Sequence, residues 1–198
     1  MAHAINYDYL SFEDYLAGEK DVDIRSEYID GQVYAMAGAS ERHNTIASSL
    51  SAHIEMALKD GCRVWQSDMK IIGKHQGKNF AYYPDITAAC GENTGDQHSR
   101  TNPILIIEVL SPSTERIDRT EKMANYTSID SLMEYVLVSQ STPFLTIYRR
   151  RNNWRAEPFY AQDDFTLESV ELTMKVEQVY RRVRKEVGLD LPGFKRET

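Results

Sequence analysis

The sequence predicts a mixed α/β fold: a central sheet with helices packed on it and hairpins at its C-terminal end. Three observations predict it. The run ILIIEVL, residues 104–110, is almost continuously apolar, the pattern of a strand buried on both faces. Residues 40–59 carry Ile46, Leu50, His53, Ile54, Ala57 and Leu58 on one helical face. The last third is a series of short β-rich runs, EYVLVS, FLTIYRR, WRAEPFYA and SVELTMKV, with QSTP and RNN as turns between the first three.

The remaining elements follow in chain order. Ser11 caps an opening helix, with Asp14 three positions on and Phe12, Tyr15 and Leu16 at helical spacing. EYIDGQVYAM reads as a hairpin, because Asp30-Gly31 is a strong two-residue turn signal. Gly61 is the stop signal for the long helix. CRVWQSDMKII and FAYYPDITAAC read as strands; Pro84 inside the second implies an edge or a bulge, since proline gives no N–H to a ladder. Residues 91–102 are polar and turn-like. SPSTERIDRTEKMANYTSID has Ser and Thr caps and then a helix with Asp118, Lys122 and Tyr126 on one face. A short amphipathic helix around Val176, Val179, Tyr180 and Val183 closes the chain.

Composition narrows the function classes. The 198 residues suit one domain, 1–198, with a core that needs no metal or disulfide staple. The 23 Lys and Arg against 30 Asp and Glu give a net charge of −7, all of it in the first half; a uniformly basic coat is excluded, local basic patches are not. Cys62 and Cys90 are too few for a disulfide framework or a four-thiolate zinc site, and read as free thiols in a reduced cytoplasmic protein. No apolar run reaches the ~18 residues of a membrane span. The acidic start has no leader pattern.

Glu108 is the most informative residue. Four large aliphatic residues precede it and two follow, and a carboxylate in a buried strand costs several kcal/mol unless paired or metal-bound. The plainer reading places it where its strand meets solvent, or against an arginine. Asp85 follows Pro84, and Pro-Asp is also a common turn pair. Together the two carry more weight. They lie on successive strands, and neighbouring strands run about 4.8 Å apart, so the carboxylates can converge on one face. Two such groups make an oxygen-rich site for Mg²⁺ or Mn²⁺, the chemistry of phosphodiester hydrolysis. Lys122 is placed to supply the cation that reaction wants; the rival reading is an ordinary surface pair with Asp118. Lys70 is a back-up for that lysine, or a solvated strand edge.

YYPDITAA, ILIIEVLSPST, Asp118-x-x-x-Lys122-x-x-x-Tyr126 and EYVLVS, in that order and spacing, resemble the Uma-two family of restriction-endonuclease-like proteins, within the PD-(D/E)xK nuclease superfamily. EYIDGQVYAM, the helix near His43 and SVELTMKVEQVY fit the same pattern, so the resemblance runs from about Phe12 to Val187. It implies a restriction-endonuclease-like fold, a mixed central sheet flanked by helices, and metal-dependent cleavage of DNA. It implies Asp85 as central metal ligand, Glu108 as second, and Glu27 as a further member of the acidic set. The superfamily's lysine is expected two residues after the glutamate; Leu110 stands there, and the resemblance moves the lysine to Lys122.

Two basic clusters are candidates for nucleic acid: Arg149, Arg150, Arg151 and Arg155, interleaved with Tyr148 and Trp154, and Arg181, Arg182, Arg184 and Lys185. A solvated hairpin and helix face explains them equally. His43 either touches phosphate or is a satisfied structural histidine. The expected function is a Mg²⁺-dependent DNA endonuclease, working as a homodimer because two sites cut two strands. The alternatives are a catalytically inactive binding module on the same fold, and a two-carboxylate glycosidase, against which stand only two tryptophans, Trp65 and Trp154.

Overall fold

A computed structural model of the chain describes residues 9–20, 22–36, 38–93 and 95–190. The first eight residues of the segment read for a leader lie outside them.

Helix α1 spans Phe12–Gly18, and the Ser11 hydroxyl accepts from the Asp14 N–H, as expected. Strands β1 (Ser26–Ile29) and β2 (Gln32–Ala35) form the hairpin. Its turn residues Asp30 and Gly31 have φ of 45° and 90°, the left-handed pair that a two-residue hairpin demands. Helix α2 is Glu41–Ala57, with the Ser40 hydroxyl accepting from the His43 N–H. It ends two residues short of the expected Lys59. Leu58 is already extended, and Gly61 (φ 83°) instead turns the chain into β3 (Cys62–Gln66).

The two expected strand runs each break in two. Ser67 (φ 57°) separates β3 from β4 (Lys70–His75), and Tyr83–Pro84–Asp85 separates β5 (Lys78–Tyr82) from β6 (Ile86–Cys90). Each break is a change of sheet. β4 and β5 belong to a five-stranded sheet, β2-β1-β5-β4-β7, where β7 is Ser99–Arg100; β3 and β6 belong to a six-stranded sheet, β11-β10-β9-β8-β6-β3. The two crossing points are tied together, since the Ser67 N–H donates to the Asp85 carbonyl at 3.0 Å. Pro84 therefore marks a sheet crossing rather than an edge or bulge.

β8 (Leu105–Leu110) lies inside the six-stranded sheet, antiparallel to β6 and parallel to β9 (Glu134–Ser139), and all six of its residues are buried. Its two faces enter different cores. Leu105, Ile107 and Val109 pack with Ile46, Leu50 and Ile54 of α2 and with Val176, Val179 and Tyr180. Ile106 and Leu110 pack with Ile71, Phe80, Tyr82, Tyr126 and Tyr135, between the two large sheets. Glu108 alternates onto this second, aromatic-rich face.

After β8 the expected helix is three pieces: α3 (Glu115–Ile117), a π-helical turn over Asp118–Lys122, and α4 (Met123–Thr127). β10 (Phe144–Arg149) and β11 (Ala156–Tyr160) complete the sheet by hairpins, and β12 (Asp164–Leu167) pairs with β13 (Leu172–Lys175). The closing helix α5 is only Val176–Val179, followed by turns, though Val176, Val179, Tyr180 and Val183 are buried as their spacing predicts.

The cysteines correct one expectation. Cys62 and Cys90 are not free thiols; they face each other across β3 and β6 and are joined, with S–S 2.00 Å. The pairing depends on a register that a spacing of 28 residues does not reveal. No described helix is long and apolar enough to cross a membrane.

Candidate active site

The expected carboxylates meet. Ile86 of β6 faces Ile107 of β8, so Asp85, one step before β6, lies across from Glu108. The Asp85 N–H donates to Glu108 Oε2 at 3.3 Å, and the Val109 N–H donates to Asp85 Oδ2 at 2.7 Å. The sheet crossing matters here: the ladder has ended, so the Val109 N–H is free to hold a side chain.

Lys122 reaches the same place. Its Nζ lies 2.9 Å from Glu27 Oε1, 3.2 Å from Glu108 Oε1 and 3.7 Å from Asp118 Oδ1. The Tyr126 hydroxyl donates to Glu108 Oε1 at 3.1 Å. Lys122 and Asp118 are buried, so the surface-pair reading does not hold. The π-helical turn carries Asp118 and Lys122 together, and such turns recur at functional sites. Glu27, carried on β1, accepts from the Tyr83 N–H at 3.2 Å and enters the cluster through Lys122.

His43 lies 3.0 Å, by its Nε2, from Asp85 Oδ2, and its Nδ1 is buried without a partner among the described residues. Sequence reasoning missed this contact. His43 follows the α2 cap by three residues, and nothing in its neighbourhood points to an aspartate 42 positions on; only the packing of α2 under β8 brings them together. Burial pushes the imidazole down, but the hydrogen bond and charge of Asp85 reverse this, so its pKa lies above the ordinary histidine value.

The electrostatics are lopsided. Four carboxylates, Glu27, Asp85, Glu108 and Asp118, face one ammonium and one imidazole. Burial drives the Glu108 carboxyl well above the usual range; Lys122 pulls it back only in part, while Asp118, Asp85 and Glu27 push further. Burial raises Asp118 likewise, and its Oδ1 has no hydrogen-bond donor among the described residues. Burial lowers Lys122, yet Glu108, Glu27 and Asp118 more than restore it, so the ammonium is held charged.

A divalent cation fits this set. Fully ionised, the four carboxylates exceed the two cationic groups by the charge such an ion carries, and hard oxygen donors suit Mg²⁺ or Mn²⁺. The candidate ligands remain the two expected ones, Asp85 and Glu108. Among the described residues no three His, Cys, Asp or Glu side chains stand arranged as a ready-made metal cage. Water and phosphate oxygens would supply the other positions, as is usual for Mg²⁺.

Other candidates lie elsewhere. Arg149 is buried and pairs with Glu134 (2.9 Å) and Glu157, and donates to the Thr166 carbonyl. Arg150 donates to the Leu132 and Ile129 carbonyls and stacks on Trp154 at 5.1 Å. Arg151 grips Glu168 with two hydrogen bonds, 2.7 and 2.6 Å. All three make contacts that hold the hairpin; Arg149 is buried, whereas Arg150 and Arg151 are exposed. Arg151→Ala is accordingly expected to leave the affinity for DNA within about twofold at any salt, whereas a phosphate contact would change the salt slope by about one. Fluorescence anisotropy of a labelled duplex checks this. Lys70 is buried rather than solvated, and stands outside the carboxylate cluster.

The fold and site define a class: the two-sheet architecture with Asp85, Glu108 and Lys122 at the crossing is restriction-endonuclease-like. A solved structure from Anabaena variabilis, described as a "putative nuclease belonging to DUF820", superposes with a TM-score of 0.70 over 87% of this chain and 98% of that one, at 17% identity, a likeness of fold. The family model Uma2, "Putative restriction endonuclease", matches residues 12–177, and the chain belongs to that family. Two uncharacterized proteins of Synechocystis sp. are similar to it: one is 36% identical over 87% of this chain and 92% of its own length, the other 33% identical over 66% and 75%.

Proposed function

We propose that the chain is an endonuclease that hydrolyses phosphodiester bonds in DNA with Mg²⁺ or Mn²⁺ held by Asp85 and Glu108. The observation that carries this reading is the register that sets the two carboxylates opposite each other with Lys122 Nζ 3.2 Å from Glu108. When bound, the ion supplies a hydroxide at neutral pH and neutralises charge on the phosphoryl oxygens. The chain's own groups do the rest. The Val109 N–H and His43 hold Asp85 Oδ2, which fixes the carboxylate that would take the ion. Tyr126 fixes Glu108 Oε1. Lys122 orients the attacking water and stabilises the charge that develops at phosphorus.

The test is direct. Purified protein with supercoiled plasmid and Mg²⁺ or Mn²⁺ should give nicked and linear DNA, and EDTA should stop it. Intact plasmid with both ions would overturn the reading. A second reading, an inactive binding module on the same fold, draws on one observation: Lys122 is already held by three carboxylates, and Leu110 stands at the superfamily's lysine position. Binding without cleavage would select it. We place the enzyme in the cytoplasm as a homodimer, two sites serving two strands. The Cys62–Cys90 bond counts against that compartment, where disulfides are rare.

The raised carboxyls also predict a pH dependence. A group whose pKa is higher in the folded state stabilises the fold below its unfolded value, near 4.5 for Glu108, and loses that contribution as pH rises. The cluster thus makes the metal-free protein more stable at about pH 5 than at about pH 8. Mg²⁺ should raise the melting temperature more at the higher pH, because it replaces the proton. Thermal melts of the parent beside Glu108→Gln, whose neutral amide removes the largest part of this dependence, check both statements.

A further inference from the structure

The structure divides the second basic cluster of the sequence. Arg184 is spent on Asp190 at 3.0 Å and Glu177 at 3.8 Å. Arg181 and Arg182 are exposed, and neither guanidinium enters an ion pair or a hydrogen bond among the described residues. Tyr180 and Val183, buried on either side of them, anchor the turn that carries them. Both arginines line a cavity of about 580 Å³ whose other lining residues all belong to α2.

That lining is one face of the helix. Ile46, Leu50 and Ile54 turn into the core, while Asn44, Ser48 and Ala52, four residues apart, line the cavity. Ala52 is the only apolar residue in the lining, so the cavity is not built for an apolar side chain. It offers donors instead: two guanidiniums, the Asn44 amide and the Ser48 hydroxyl, whose oxygen accepts from the Gln66 amide at 3.4 Å and whose hydrogen is left to donate. Arginine, serine and asparagine side chains are among those that hold the phosphate oxygens of a DNA backbone. Glu41 is the one carboxylate in the lining, against two guanidiniums, so the cavity keeps a net positive charge in a chain of net charge −7.

Two connections tie the cavity to the acidic site. Asn44 follows His43, whose Nε2 lies 3.0 Å from Asp85. Ser48 is held by Gln66, and the next residue, Ser67, donates its N–H to the Asp85 carbonyl at 3.0 Å. From His43 to His53 the helix rises about 15 Å, so the cavity wall leads away from the end of α2 that touches Asp85.

We infer that this cavity is a backbone-binding groove, in which Arg181 and Arg182 from one side and Asn44 and Ser48 from the other hold phosphates of the DNA strand flanking the cleaved bond. The inference rests on the nuclease reading and adds to it a surface that keeps the substrate on the enzyme.

Fluorescence anisotropy of a labelled duplex in EDTA, where no cleavage occurs, tests it on the full chain. Each phosphate contact contributes about 0.9 to the slope of log affinity against log salt. With two contacts, the parent should lose about twelvefold more affinity between 50 and 200 mM salt than Arg181→Ala/Arg182→Ala. Arg181→Lys/Arg182→Lys should keep the parent slope, because the slope counts charges. Both arginines are exposed, so the alanine variant should melt within about 2 °C of the parent. Ala52→Glu adds a carboxylate to the exposed face of α2 and leaves both arginines in place. It should cancel about one contact, which is a 3.5-fold smaller loss of affinity over the same salt range. Should the alanine variant unfold, Ala52→Glu decides alone, and a parent-like slope would overturn the groove. Parent-like slopes for both variants, with all three proteins still cutting plasmid in Mg²⁺, would remove the groove and leave the nuclease intact. Reduced slopes with no cleavage even by the parent would keep the DNA groove and overturn the nuclease reading. A parent that neither binds nor cuts DNA would remove both.

Discussion

Asp85→Asn should abolish metal-dependent cleavage while leaving the fold in place. The side chain is nearly isosteric, and its amide oxygen can still accept from the Val109 N–H, which now binds Oδ2 at 2.7 Å. What is lost is the charge that would hold the ion. An ion that supplies several kcal/mol of transition-state stabilisation, at about 1.4 kcal/mol for each factor of ten, makes the loss at least about a thousandfold. Stability should move little, because the lost pairing with His43 is offset by relief of repulsion with Glu108. Single-turnover plasmid cleavage in Mn²⁺ beside a thermal melt decides the point. Unchanged nicking by a clean preparation would remove Asp85 from the site, and a collapsed melt would make it structural.

Lys122→Met carries the other large effect, and it appears twice. Cleavage should fall by at least about a hundredfold, the usual result of losing one group that stabilises the transition state. Stability should fall by about 3–5 kcal/mol near neutral pH, because Glu108 and Asp118 are left buried with no counter-charge. The two losses separate by pH. Both carboxyls are already raised by burial, and without the ammonium they rise further, so protonation near pH 5 should return much of the stability. Urea unfolding at about pH 5 and pH 8 reads that recovery. A variant as stable as the parent at both values would mean that Lys122 does not neutralise the cluster. Parent-like cleavage by Lys122→Met would mean that another group orients the water.

Much of this site was legible in one sequence because its burial signals are local. Glu108 stands out against Ile106, Ile107 and Val109, and the continuous apolar run announces a strand with two covered faces. The Asp118–Lys122–Tyr126 spacing announces one helical face, and Lys122 and Tyr126 do reach Glu108, with Asp118 beside Lys122, although by way of a π-helical turn that no spacing predicts. The partners of the hairpin arginines were not legible for the converse reason. A run of three cations looks alike in sequence whether its partners are solvent phosphates or glutamates, and Glu134, Glu157 and Glu168 lie 8 to 19 residues along the chain from the arginines they pair with.

The sequence by itself determined the capped helices, the Asp30–Gly31 turn, the buried strand and which acids sit beside aliphatic neighbours, because each depends on residues within about one turn or one strand of each other. Only the tertiary structure decided the rest. It made Pro84 a crossing between two sheets, set His43 on Asp85, joined Cys62 to Cys90 and turned Lys70 into a buried cation between two tyrosine rings. Each of these depends on which strand lies beside which and in what register. Register is settled by summed burial over the whole sheet, which no local stretch of residues encodes.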